Sequence, residues 1–150
     1  MDERGEAAAL VWLLRGAVRT YAARVGAATA AAGFVDLPPP GLWAIAALGE
    51  QEQTGAALAR RMQISKQAVS QLLLQLGRLG YIERRGDRGD RRRSMLGLTP
   101  RGRAAAAVIG AACAAVQASA SARLGAGAID GLRRALEAFA PDPDAAPHPR

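Results

Sequence analysis

A chain of 150 residues, half of them hydrophobic, is long enough for one domain with a buried core. Its formal net charge of +7 and pI near 11.1 point to a polyanionic partner, and its single cysteine, Cys113, excludes an internal disulfide and fits a reducing cytoplasm. The only histidine, His148, stands near the C-terminus, and the sequence has neither a Cys/His cluster nor a glycine-rich phosphate loop, so zinc binding and most hydrolytic chemistry lack their parts. No enzyme activity, cofactor or metal is expected.

The chain begins acidic, MDERGEAAAL, without the basic region of a signal peptide, and a cytoplasmic location is expected. Residues 6–32 read as one long helix without proline. Val11, Leu14, Val18, Tyr21, Val25, Ala28 and Ala32 alternate steps of three and four, a sustained seam that calls for a partner. Pro38, Pro39 and Pro40 then break the chain at the start of a second helix, with Leu42, Trp43, Ile45, Ala46 and Leu48, ending near Gly49. Its place is beneath the elements that follow.

Thr54 is a suitable N-cap for a third helix, which buries Leu58, Ala59 and Met62. Only Gln63 and Ile64 separate it from a second N-cap, Ser65, where Ile64 and Val69 are placed for a hydrophobic staple. Val69, Leu72, Leu73, Leu76 and Leu79 form one stripe of that fourth helix, and Gly80 ends it. Lys66, Gln67, Ser70, Gln71, Gln75 and Arg78 occupy the opposite face, and such residues suit either the base edges of a major groove or an ordinary wet surface. The short connection favours the first reading, because two helices so joined form a helix-turn-helix whose second helix enters the major groove.

Residues 81–85 and 93–99 look like two strands around a tight turn, GDRGD, and Arg84, Arg85, Arg88, Arg91, Arg92 and Arg93 sit on or beside it. Nine arginines against three acidic residues fall between Arg78 and Arg103, nearly the whole charge excess of the chain. A ribbon tipped in this way can straddle a phosphate backbone and insert a guanidinium into the minor groove. The expected fold is mainly α with a small β-wing: a winged helix-turn-helix over residues 38–100, with recognition helix 65–79 and wing 84–93.

The stretch ISKQAVSQLLLQLGRLGYIERRGDRGDRRRSMLGLTPRG closely resembles the recognition helix and wing of the MarR (multiple antibiotic resistance regulator) transcription factors. The most specific part is D-x-R followed by L-T-x-x-G, here Asp90, Arg92, Leu98, Thr99 and Gly102. The resemblance implies that Arg92 enters the minor groove while Asp90 holds the wing arginines, and that Ser65, Lys66, Gln67, Ser70, Gln71, Gln75, Arg78, Arg84, Arg88, Arg91 and Arg93 complete the DNA-binding surface. Gln67, Ser70 and Gln71 are the leading base-contact candidates. Gly77 departs from the pattern, standing where related sequences usually place a longer residue such as glutamate.

After the wing, Pro100 opens another long helix that runs to about Leu124, where GAGA interrupts it. It is uncharged from Ala104 to Ala122, but its alanine-rich composition and the stripe Ile109, Cys113, Val116 and Ala120 suit close packing in water better than a bilayer. Ile129, Leu132, Leu136 and Phe139 mark a last amphipathic helix, and the proline-rich residues 141–150 are expected to be a disordered tail. Residues 5–33 and 101–140 are then dimerisation helices, and the resemblance implies a homodimer facing a pseudo-palindromic operator on double-stranded DNA. It also implies a small aromatic or anionic effector held between the dimer helices and the winged domain. Trp12, Tyr21, Phe34, Trp43 and Met62 are candidate lining residues, with plain core packing the favoured reading of each. The expected function is a regulator, a repressor released by its ligand. Alternatives are a non-specific or architectural DNA binder, or a thiol-responsive regulator using Cys113, although relatives with a sensing thiol carry it near the N-terminus.

Overall fold

The computed structural model describes residues 3–86, 94–125 and 127–139. Among them the helices are α1 (Glu3–Ala31), α2 (Pro39–Glu50), α3 (Gly55–Met62), α4 (Lys66–Arg78), α5 (Pro100–Leu124) and α6 (Ala128–Glu137), and the strands are β1 (Gln53–Thr54), β2 (Ile82–Arg85) and β3 (Met95–Leu98). The polypeptide divides into two compact units, one extending to Ala114 and one from Ala115 onward. The first contains the whole winged helix-turn-helix, and the second holds the end of α5 and α6.

Alanine-rich and proline-free, α1 satisfies helix propensity along its length, yet among the residues whose burial is described only those of its C-terminal half enter the core. Val25 and Thr29 are buried there, and the Thr29 hydroxyl donates to the Val25 carbonyl at 2.7 Å, which lets a polar residue occupy an apolar face. Of the expected seam, Val25 is buried within the protomer, while Ala28 and Ala32 are exposed. Further up the helix Val11 and Val18 are 53% and 67% exposed, so that part of the seam meets nothing within the protomer.

α2 is the central helix. Proline at its first positions costs no hydrogen bond, because those N–H groups have no helical partner, and Leu42, Ala44, Ile45, Ala47 and Leu48 are all buried. Leu58 of α3, Leu76 of α4, Leu96 of β3 and Ile109 of α5 share this core. Burial of each such side chain stabilises by about 1.5–3 kcal/mol. By length and composition alone α5 could cross a membrane; Ala105, Ile109 and Ala112 on it are buried with the core of the winged domain.

The strands form one antiparallel sheet in the order β1-β3-β2. β2 and β3 are the two legs of the expected hairpin, paired from Ile82 with Leu98 to Arg85 with Met95. β1 was not expected. Its two residues pair with β3 on the other side, Gln53 with Leu96 and Thr54 with Met95, so that β3 becomes the middle strand. The buried Gln53 amide donates to the Ala47 carbonyl at 3.2 Å and ties this edge to the end of α2.

Candidate nucleic-acid interface

Both N-caps form as the side-chain chemistry requires. The Thr54 hydroxyl accepts from the Ala57 N–H at 3.2 Å, and the Ser65 hydroxyl accepts from the Ala68 N–H at 3.1 Å. Between the two helices Gln63 takes a left-handed conformation, φ 54, while the Ile64 N–H returns to the Ala59 carbonyl at 3.1 Å. The three-residue turn is thus closed by backbone bonds, and the angle between α3 and α4 follows from it.

On α4 Val69, Leu72, Leu73 and Leu76 are buried. Ser65, Lys66, Gln67, Ser70, Gln71, Gln75 and Arg78 are exposed, as a face for the major groove must be. The hydroxyl of Ser70 donates to the Lys66 carbonyl at 2.7 Å, which leaves Ser70 an acceptor toward solvent. The helix then stops in a Schellman arrangement: Gly80, at φ 75, donates to the Gly77 carbonyl at 3.0 Å, and the Tyr81 N–H donates to the Leu76 carbonyl at 2.9 Å.

This stop is also where the wing begins and where α5 is anchored. Thr99 donates its N–H to the Tyr81 carbonyl at 3.1 Å, and its hydroxyl donates to the Gly80 carbonyl at 2.5 Å. The same hydroxyl accepts from the Gly102 N–H at 3.0 Å, which makes Thr99 the cap of α5. A Cβ on residue 102 would stand 2.0 Å from the Tyr81 carbonyl oxygen, so only glycine fits there. The L-T-x-x-G pattern therefore has a physical reason.

Around the same point, the fully enclosed Tyr81 donates its hydroxyl to Asp36 at 2.6 Å. The Arg101 guanidinium donates to both oxygens of that carboxylate at 3.0 Å and lies 4.3 Å over the Tyr81 ring. The Tyr81 hydroxyl, followed by Arg101, holds the Asp36 carboxyl below the usual carboxylate range despite its partial desolvation. Burial, followed by the bond to Asp36, pushes the Tyr81 phenol up to about 12.

On the wing, Arg84 is exposed and donates to the Ser94 hydroxyl at 3.2 Å across the two legs. Arg85 instead pairs with Glu83 and Glu52, which raise its already high pKa, the bond to Glu83 most, and take up its charge. Arg84 is thus the freer of the two toward a phosphate. Arg88, Asp90, Arg91, Arg92 and Arg93, expected at the tip, lie outside the described residues, as does the expected tail 141–150.

Of the five candidate effector residues, Phe34, Trp43 and Met62 line one cavity of about 640 Å³ between α1, α2 and the helix-turn-helix. Tyr21 packs on Trp43 with ring centroids 6.3 Å apart and donates its hydroxyl to the Cys113 carbonyl at 3.4 Å. Trp12 is not brought to them: it is 69% exposed on the outer half of α1, with Arg15 5.9 Å over its ring. A second cavity of about 680 Å³, not expected from the sequence, lies between α2, the sheet and α5. Cys113, half-buried, lines it together with Glu50, Glu52, Arg85 and Arg103.

Comparison with known proteins places this geometry. A MarR family model matches residues 35–93. The Mycobacterium tuberculosis MarR family protein Rv2887, solved in complex with p-aminosalicylic acid, is 30% identical over 87% of this chain and 97% of its own, with a TM-score of 0.62. The chain belongs to the MarR family. A further MarR family transcription regulator is 25% identical over 91% of this chain and 89% of its own, with a TM-score of 0.74. A probable transcriptional regulator from Pseudomonas aeruginosa is 27% identical over 86% and 95%, at 0.68. No match was found among curated protein sequences. As a MarR protein the chain is a DNA-binding transcription regulator of winged-helix fold, and no enzymatic family is indicated.

Proposed function

We propose that this MarR protein is a cytoplasmic homodimeric repressor that binds a pseudo-palindromic operator and is released by a small aromatic or anionic ligand. The observation that carries the reading is the exposed polar face of α4, fixed at both ends by Ser65 and Gly80, beside a wing leg bearing the exposed Arg84. Gln67, Ser70 and Gln71 contact base edges, while Lys66, Arg78 and Arg84 face phosphates. Arg92 enters the minor groove with Asp90 behind it, and Arg88, Arg91 and Arg93 hold the flanking backbone. Half-sites about 10 bp apart, one helical turn, follow from two-fold symmetry.

Dimerisation is supported by the apolar residues that the protomer leaves open. On α1 Trp12, Leu13 and Val18 are each more than two-thirds exposed, and no side chain of α6 is buried. Release by a ligand is supported by the cavity against Phe34, Trp43 and Met62, and by Rv2887, which was solved with salicylic acid and with p-aminosalicylic acid.

Fluorescence anisotropy over a range of salt tests the reading. A duplex selected from a random library should bind at least about a thousandfold tighter than its scrambled counterpart at physiological salt. Arg92→Ala should weaken operator binding by about 1–3 kcal/mol with the dimer intact, and Gln71→Ala should alter sequence preference more than the salt slope. Equal affinity for both duplexes, collapsing with salt, would leave a phosphate-gripping architectural protein instead.

A further inference from the structure

Leu74 lies at the centre of the face that the proposed function sends into the major groove. It is 56% exposed. Gln67, Ser70, Gln71 and Arg78 surround it at helical spacings of three, four and seven, so the large apolar side chain interrupts an otherwise polar surface. Scattered surface leucines are ordinary, but this one also borders a crevice of about 540 Å³ between α4 and β2. Leu73 and Ile82, both largely buried, form its apolar wall, and Arg78 and Arg84 stand on its rim. Gly77, one turn along the helix, leaves the space beside Leu74 open, since a Cβ there would meet nothing within 4 Å.

An apolar spot between two guanidinium groups matches one feature of duplex DNA. In the major groove the thymine 5-methyl is the apolar group that a base pair presents, and phosphates lie on either side of the groove. We propose that Leu74 is a specificity-determining residue that packs on the 5-methyl group of one thymine in each operator half-site. The inference rests on the operator-binding function proposed above. A second protein seated on the crevice would also cover Leu74, but Arg78 and Arg84 outweigh Glu83 at its edge and favour the polyanion.

The test uses the full chain and a duplex selected from a random library, with each thymine replaced singly by uracil. This removes the methyl and leaves the hydrogen-bonding edge unchanged. At one thymine per half-site the wild-type protein should lose about fourfold in affinity, the worth of burying one methyl-sized group. Leu74→Ala, and separately Leu74→Ser, should bind the thymine and uracil duplexes alike, with thermal midpoint and salt slope unchanged. Persistence of the same discrimination in both variants would overturn the assignment, and so would a wild-type protein indifferent to every replacement. If the wild-type protein selects no sequence at all, the proposed operator function itself fails, an outcome distinct from a flat uracil scan on a selected site.

Discussion

Asp36 joins two groups far from it in the chain, Tyr81 at a separation of 45 residues and Arg101 at 65. Removing its charge with Asp36→Asn should lower stability at neutral pH. Because the folded carboxyl titrates below its ordinary value, the contribution is present above about pH 4 and is lost as pH falls through the folded pKa. Urea midpoints of wild type and variant should therefore converge on acidification, and a gap that does not narrow would deny the carboxylate this role. Tyr81 runs the other way. Its phenol, raised to about 12, stabilises fully below about pH 10 and loses that contribution as pH rises through about 12. Tyr81→Phe should cost about 1–2 kcal/mol near neutrality and show a flatter stability profile above pH 10. None of this was legible in the sequence: Tyr81 reads as the first residue of a strand, and Asp36 as one acid before a proline run. The bonds between them span the fold, and no local pattern encodes such a pair.

At the scale of elements, what could be read was what is local. Thr54 and Ser65 were recognisable as caps because a cap bonds within its own first turn. The stripe on α4 was recognisable because a buried helix face repeats every three to four residues. β1 was not, because two residues become a strand only through Met95 and Leu96 on the far side of the wing. Two glycines separate the local from the tertiary experimentally. Gly77 has open space around it, so Gly77→Ala should stabilise by up to about 1 kcal/mol, raising the melting midpoint by roughly 2–4 °C. Gly102 lies against the Tyr81 carbonyl, so Gly102→Ala should destabilise by about 1–3 kcal/mol or more as α5 is pushed off the wing. Thermal melts of the two variants should move in opposite directions. Stabilisation at both would mean that helix propensity, rather than the close approach at Gly102, governs both sites.

Over the whole molecule, the long helices were legible but not their partners. The seam on α1 predicted a contact, and the exposure of Val11 and Val18 shows that the protomer does not supply it there. If a second copy does, sedimentation should give a dimer of the 15.5 kDa chain, with an unfolding midpoint that rises with protein concentration. Val18→Glu should shift the mass toward the monomer and weaken operator binding, since each half-site would then be held alone. A variant that remains dimeric would move the interface elsewhere.

Thr54 carries a consequence for how this protein tolerates change. It pairs with Met95 on one leg of the wing and, with its hydroxyl, caps the first turn of α3. Neither bond involves a residue between Arg85 and Met95. A single insertion on the other side of Met95 would slide β3 by one residue against β1 and β2 together, and a slip of one turns the buried side chains of a strand to the opposite face. Leu96 and Leu98 would leave the core in the same step that shifts the partner of Thr54. The spacing from Met95 to Gly102 is therefore held at one end by the register of β3 and at the other by the close approach of Gly102 to the Tyr81 carbonyl.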